Sequence, residues 1–87
     1  MDIEVLFKPS FVRQFKILEP ELQEEVLEKI EVFRDSKNHK LLKVHKLHGR
    51  LARFYSFSVN YKFRIVFNYP DKEKAVLLAI GDHEVYK

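Results

Sequence analysis

The sequence predicts one α+β domain, with helices packed on one face of a mostly antiparallel sheet. The 87 residues suffice for one hydrophobic core and not for two, and 46% of them are hydrophobic, including eight Phe and four Tyr. An alternating N-terminal segment precedes two segments of helical periodicity, and the second half of the chain again alternates. The expected order over residues 1–87 is therefore a strand, two helices and a three-strand antiparallel meander.

The first elements are read from local patterns. Alternation predicts a strand over residues 3–7, which Pro9 ends. Ser10 is a suitable N-cap for a short helix that runs to about Leu18. Pro20 falls in the first turn of a second helix, where its missing N–H costs nothing. The apolar face of that helix consists of Leu22, Val26, Leu27, Ile30 and Phe33, and we interpret the glutamates on its other faces as a solvated surface.

The second half of the chain changes period. Residues 40–49 form a basic connector in which Leu41, Leu42, Val44 and Leu47 are candidates to anchor to the core. Alternation predicts strands over residues 54–59 and 61–69, and a continuous apolar run predicts a central strand over residues 75–80. Residues 70–72 (Pro-Asp-Lys) are expected to form the hairpin turn between the last two strands.

The composition excludes several classes of site. The chain has no Cys, so it forms no disulfide, thiolate zinc site or cysteine nucleophile. No apolar run approaches the about 20 residues that a membrane-spanning helix needs, and the N-terminus lacks the pattern of a signal peptide. We therefore expect a cytoplasmic protein that makes no membrane contact and uses no metal or other cofactor.

Basic residues are concentrated between positions 37 and 64. This segment holds eight of the 16 Lys and Arg residues, three of the four His, and no Asp or Glu. Residues 19–35 carry seven acids and two cations, so the net charge of +3 conceals a dipolar molecule. Clustered cations without neighbouring acids favour a polyanion such as RNA or DNA. Solubility or an acidic protein partner would explain the same cluster.

Three side chains within this segment are candidates for chemistry. Arg64 interrupts an aromatic strand, where a guanidinium needs an anion, either a phosphate or a glutamate of the second helix. His45 and His48 are suited to phosphate contact or proton transfer, because imidazole exchanges protons near neutral pH. Exposed surface histidines would give the same pattern, and no nearby acid or Cys completes a metal site.

Two further candidates follow the last predicted strand. His83 lies between Asp82 and Glu84, whose charges favour an imidazolium and hence a general acid, although a surface His is the simpler reading. Tyr86 is suited either to stacking on a nucleotide base or to packing on the sheet.

Four short motifs, in this order, resemble the RelE/ParE superfamily of type II toxins over nearly the whole chain. They are residues 45–49 (HKLHG), 55–59 (YSFSV), 64–67 (RIVF) and 80–86 (IGDHEVY). The ending is most similar to the RNA-cleaving branch, the RelE- and YafQ-like mRNA interferases. There, a His shortly after the last strand, followed by an aromatic residue, helps to cut mRNA. The resemblance implies a RelE-like fold.

The resemblance also implies roles for individual residues. Arg64 would stabilise the scissile phosphate, His83 and His45 would share acid and base roles, and Tyr86 would stack on or orient a nucleotide. Further contacts to RNA would come from Lys43, Lys46, His48, Arg50, Arg53, Lys62 and Lys87. The sequence departs from known catalytic sets at three positions. Ser56 and Ser58 stand where RelE has lysines, and Ser58 and Lys62 replace the second His and the Asp of YafQ.

The implied function is an endoribonuclease toxin that cleaves mRNA on the ribosome by attack of the 2′-OH and so inhibits translation. A cognate antitoxin protein would be its partner. Two alternatives remain at this point. A ParE-like toxin would poison DNA gyrase without catalytic residues, and a non-enzymatic module would bind RNA without cutting it.

Overall fold

A five-stranded mixed sheet carries two helices on one face. The computed structural model describes residues 2–82. The elements in chain order are β1 (Glu4–Phe7), α1 (Pro9–Lys16), α2 (Pro20–Arg34), β2 (His45–Lys46), β3 (Tyr55–Ser58), β4 (Arg64–Asp71) and β5 (Lys74–Gly81). Short 3₁₀ turns cover Ser36–Asn38 and Gly49–Leu51. The predicted α+β class, with both helices on one side of the sheet, is confirmed.

The strand order is β1-β5-β4-β3-β2. β3, β4 and β5 form the predicted antiparallel meander, and β1 pairs with β5 in parallel. β5 is therefore an interior strand, as its continuous apolar run predicts. The fifth strand is a correction to the prediction, because the two residues of β2 pair with β3 at the sheet edge inside the segment that we expected to be a connector.

The core lies between the helices and the sheet. Val26, Ile30 and Phe33 of α2 are buried in one cluster with inward residues of the meander. The Phe33 ring stacks on Phe57 of β3, with centroids 4.4 Å apart, and meets the edge of Phe67 of β4 at 4.9 Å. Such aromatic pairs add to the stabilisation from buried area, so Phe33 fixes α2 against the centre of the sheet.

The start of α1 differs from the prediction. The helix begins at Pro9 with Lys8 as its N-cap, and no side chain caps it. Pro9 is preorganised for the first helical position, which places Ser10 inside the helix. The Ser10 hydroxyl instead donates to the carbonyl of Leu78 at 2.7 Å, so it ties α1 to β5.

The hairpin turn between β4 and β5 is also shifted from its predicted position. β4 continues through Pro70 to Asp71, which pairs with Lys74, so the turn consists of residues 72–73. The Asp71 carboxylate accepts from the N–H of Glu73 at 2.8 Å and closes this turn. Pro70 is tolerated because the register is irregular between Asn68 and Asp71. Within residues 2–82, no helix is long and apolar enough to cross a membrane.

Candidate active site

Two serines of β3 mark the outer face, defined as the sheet face turned away from α1 and α2. Phe57 points into the helix-side core, so its neighbours Ser56 and Ser58 point outward by strand alternation. Residues directly opposite one another in a sheet share a face. Ser56 pairs with His45 and Ser58 pairs with Arg64, so all four lie on the outer face.

Arg64 is held at the start of β4. It pairs with Ser58 on one side and with Gly81 on the other, and its guanidinium donates to the Ser58 hydroxyl. An ion pair with a glutamate of α2 was the alternative explanation for this arginine, and the described residues show none. Glu25 of α2 instead accepts from the side-chain amide of Asn60 at 2.9 Å. The remaining guanidinium donors can therefore serve an external anion.

His45 has a defined ring orientation. Its Nδ1 lies 2.8 Å from the carbonyl oxygen of Lys43, and its Nε2 lies 3.4 Å from Oγ of the fully buried Ser56. A carbonyl oxygen only accepts, so Nδ1 carries the proton in the neutral ring and Nε2 keeps its lone pair. The buried Ser56 hydroxyl then has Nε2 as its acceptor, through a contact longer than a normal hydrogen bond.

The backbone before β2 supports this orientation. Leu42 is buried, and its carbonyl accepts from the N–H of Ser58 at 2.8 Å, which fastens the connector to β3. Lys43 follows in the left-handed region with φ +58°, a conformation that non-glycine residues adopt at a cost. Its turn directs the carbonyl back toward His45. The outer-face histidine is therefore positioned by main-chain geometry.

The two serines set the spacing of the site. Positions 56 and 58 are two residues apart on β3, and their partners lie on the two strands that flank it. The backbones of His45 and Arg64 are therefore offset by about 7 Å along the sheet and by two strand spacings, about 10 Å, across it, and their side chains reach toward the serines between them. This separation leaves room for a phosphodiester between the imidazole of His45 and the guanidinium of Arg64. The arrangement offers a proton acceptor on one side and a fixed positive charge on the other.

The predicted RNA-contacting residues of the described part of the chain lie on β2 and in the segments that flank β2 and β3. Lys43, Lys46, His48, Arg50, Arg53 and Lys62 are all exposed, and within residues 2–82 none of these cations lies within ion-pair distance of a carboxylate. They do not all share one surface. Lys46 pairs with Tyr55, whose ring contacts Phe67 on the helix side, so Lys46 is on the face opposite His45. Gly49 permits the turn after His48, because its φ is +67°.

The tail residues of the prediction lie outside the described residues. His83, Tyr86 and Lys87 belong to the last five positions, which are not described. The last residue of β5, Gly81, pairs with Arg64. Within residues 2–82, no group of three or more His, Asp or Glu side chains is placed to hold a metal ion.

Three positioning residues were not identified from the sequence. Ser56 and Ser58 were noted only as departures from known catalytic sets, and Lys43 only as a phosphate contact. The available signal was the pattern YSFS in β3, where polar residues alternate with aromatic ones on a strand that packs on one side. The left-handed backbone of Lys43 has no such signal, since Lys is not a residue that this conformation favours.

No protein-family model matches the sequence, and no curated protein sequence matches it. Solved structures do match. A chain of the toxin–antitoxin complex RelBE2 from Mycobacterium tuberculosis is 21% identical, with a TM-score of 0.77 and coverage of 95% of this chain and 100% of that one. The YoeB dimer from Staphylococcus aureus is 19% identical, with a TM-score of 0.69 over 95% and 99% of the two chains. YafQ from E. coli is 12% identical, with a TM-score of 0.70 over 94% of each. The chain therefore has the fold of the RelE, YoeB and YafQ toxins.

Proposed function

We propose that this protein is the toxin of a type II toxin–antitoxin system and that it is an endoribonuclease which cleaves mRNA on the ribosome. The observation that carries the proposal is the serine-held pair on the outer face. His45 Nε2 is engaged by the long 3.4 Å contact to the Ser56 hydroxyl, and within residues 2–82 the Arg64 guanidinium bonds to Ser58 and has further donors. Both belong to a fold shared with the RelE, YoeB and YafQ toxins.

The proposed reaction is attack by a ribose 2′-OH on the adjacent phosphorus. His45 Nε2 takes the 2′-OH proton while the 2′-oxygen forms a bond to phosphorus. The bond from phosphorus to the 5′-oxygen breaks, and the leaving oxygen takes a proton from a general acid. Arg64 donates hydrogen bonds to the phosphate oxygens as negative charge develops on them.

His83 is the proposed general acid, and Tyr86 is the proposed stacking partner of a base. Both follow Gly81, which pairs with Arg64. Covalent geometry limits a residue two positions after Gly81 to within about 7 Å of it. The pairing of Gly81 with Arg64 supports the role proposed for His83.

The exposed cations near the sheet edge are the proposed phosphate contacts for RNA on either side of the cut. Because backbone contacts release counterions, binding should weaken steeply as salt rises. Removing Arg50 and Arg53 together should raise the KM for RNA more than it lowers kcat, since these residues hold substrate in both ground and transition states.

The experiment compares single substitutions in a cleavage assay on mRNA bound to ribosomes. Arg64→Ala should reduce the rate about 10²–10³-fold, the usual cost of losing one charge-stabilising donor. His45→Ala and His83→Ala should also reduce it. The matched control is Arg13→Ala, which removes an exposed guanidinium from α1. Wild-type cleavage rates in both Arg64→Ala and His45→Ala would contradict the site.

The same experiment separates the alternative functions. A gyrase poison would leave mRNA intact and induce DNA breaks in cells that express the protein. A non-enzymatic module would bind ribosomes in a salt-dependent way and yield no RNA product.

An antitoxin is the proposed protein partner. One of the similar structures is a toxin–antitoxin complex. A segment that neutralises the exposed cations of the basic region should be acidic, and coupled folding would let a short segment cover a large surface. Co-expression with the neighbouring open reading frame should abolish growth arrest.

A further inference from the structure

An apolar groove lies on the helix side of the molecule. It has a volume of about 230 Å³ and is lined by six apolar side chains, namely Phe7, Phe11, Val12, Phe15, Leu27 and Ile30. Phe11 and Ile30 are buried and form its floor, whereas Phe7 and Leu27 are 45% and 53% exposed. The Phe7 and Phe11 rings are 5.6 Å apart, so the aromatic surface is continuous from the end of β1 onto α1. A connected apolar surface of this kind on a small domain is typical of a binding site.

The α2 bank of the groove is acidic. Leu27 lines both the groove and a neighbouring depression whose other residues are Glu24, Glu28 and Glu31. These glutamates occur at i, i+4 and i+7, which makes one stripe along the helix. Arg34 pairs with Glu31 at 3.2 Å, so Glu24 and Glu28 supply most of the negative charge. The opposite bank differs, because Lys16 of α1 lies one turn beyond Val12 and is exposed.

These charges restrict what can occupy the groove. A second copy docked about a twofold axis across the groove would bring the two acidic stripes together. An axis along the groove would place each acidic stripe over the α1 bank of the other copy, where the single charge of Lys16 does not balance both Glu24 and Glu28. An anionic membrane would be repelled by the same stripe. A partner with an apolar stripe, a basic flank over α2 and an acidic flank over α1 would be complementary to the groove in both hydrophobicity and charge.

We propose that the groove binds an amphipathic helix of a partner protein, which carries Lys or Arg along the flank that lies over α2. Its apolar stripe would cover Phe7 and Leu27 and enter the cavity above Phe11. The proposal rests on the proposed function in one respect, which is that the antitoxin would supply the helix. It requires no catalysis. The amphipathic helix would be basic where it lies over α2, whereas the segment expected at the basic region is acidic. A single partner that carries both would cover both surfaces.

The test uses a displayed library of helical peptides and the full chain as bait. The peptides are about 18 residues long, or about five turns, with Leu fixed at i, i+3, i+4 and i+7 and either Lys or Glu at each flanking position. Selected peptides are labelled, and their binding is measured by fluorescence anisotropy. We expect enrichment of Lys on one flank.

Two substitutions identify the binding surface. Leu27→Glu should weaken the selected peptides about 30-fold or more, the effect of losing a central apolar anchor. Leu41→Glu is the matched control, because Leu41 is 76% exposed in the basic connector and should bind as wild type. Glu28→Lys should shift enrichment from Lys to Glu on the flank over α2. Thermal melts check that each variant is folded.

Several results would overturn the proposal. They are the absence of any binder, equal enrichment of Lys and Glu, or equal effects of Leu27→Glu and Leu41→Glu. A concentration-dependent dimer that Leu27→Glu dissociates would assign the groove to a second copy. Binding to phosphatidylglycerol vesicles that Leu27→Glu abolishes would assign it to a membrane. These outcomes do not depend on RNA cleavage, so failure of the proposed reaction leaves the test intact.

Discussion

Substitution of Lys43 by Gly or by Val should change stability in opposite directions. Lys43 is exposed and has a φ of +58°, so its backbone, rather than side-chain packing, is what the two substitutions test. Both variants lose the same positive charge. They differ in their tolerance of the left-handed region, which suits glycine and is unfavourable for a β-branched residue.

The expected magnitudes follow from backbone energetics. A non-glycine residue in this region costs roughly 1–2 kcal/mol, which Lys43→Gly would remove. Glycine also gives the unfolded chain more conformational freedom, which lowers the free energy of unfolding by about 0.4–1 kcal/mol. The net gain in the free energy of unfolding for Lys43→Gly is therefore roughly 0.5–1 kcal/mol. We expect Lys43→Val to lose at least about 1 kcal/mol, which gives a gap near 2 kcal/mol. For a domain of this size the gap corresponds to melting temperatures about 8–16 °C apart.

The assay combines thermal unfolding with nitrogen NMR of the His45 imidazole. Lys43→Gly should keep the tautomer protonated at Nδ1, because the carbonyl at position 43 remains in place. Lys43→Val should shift the ring toward a mixture of tautomers. Since both variants lack the lysine, any difference between them in RNA cleavage reports the orientation of His45. Equal melting temperatures, or a more stable Val variant, would refute this account of the turn.

Three further predictions concern other contacts. Ser58→Ala should slow RNA cleavage about tenfold and lower the melting temperature by roughly 6–12 °C, because it removes a charge-assisted hydrogen bond of about 1.5 kcal/mol that positions Arg64. Burial, and secondarily the charge of Tyr55, raises the pKa of Tyr69 above its ordinary 10.0. The folded state then holds this proton more tightly, so stability should fall as pH rises above 10.0, and Tyr69→Phe should flatten that fall in denaturant titrations at alkaline pH. Phe33→Ala should destabilise by about 3–5 kcal/mol, whereas Leu41→Ala at an exposed position should stay within about 0.5 kcal/mol in the same titration.

The fold was predictable where side-chain periodicity and burial agree. The apolar positions Val26, Ile30 and Phe33 recur at helical spacing and are the buried residues of α2. The strands of the meander follow from alternation in the same way. β2 was not predictable, because two exposed residues carry no periodic signal and form a strand only by pairing with β3. The β4–β5 turn was misplaced because a register irregularity allows Pro70 to remain in the strand.

The candidate site was predictable in residue type but not in arrangement. Arg64 was identified because a guanidinium in an aromatic strand requires a partner, and the structure supplies Ser58 as that partner. The sequence gives no reason to expect His45 opposite Ser56, since that proximity depends on strand pairing across eleven positions. The carbonyl that orients His45 depends on a single backbone angle, which the identity of Lys43 does not reveal.

The register of β3 links the stability of this domain to its proposed chemistry. Side chains alternate along a strand, so a slip of one residue would turn Ser56 and Ser58 toward the helix-side core and Phe57 toward the outer face. Phe57 is fully buried against Phe33, and this packing opposes the slip. The serines that hold His45 and Arg64 therefore face outward because an aromatic residue between them faces inward. Phe57→Ser should accordingly impair the site through register as well as stability. Phe57→Leu, which keeps an apolar anchor, should lose stability but retain the His45 tautomer and the dependence of RNA cleavage on Arg64.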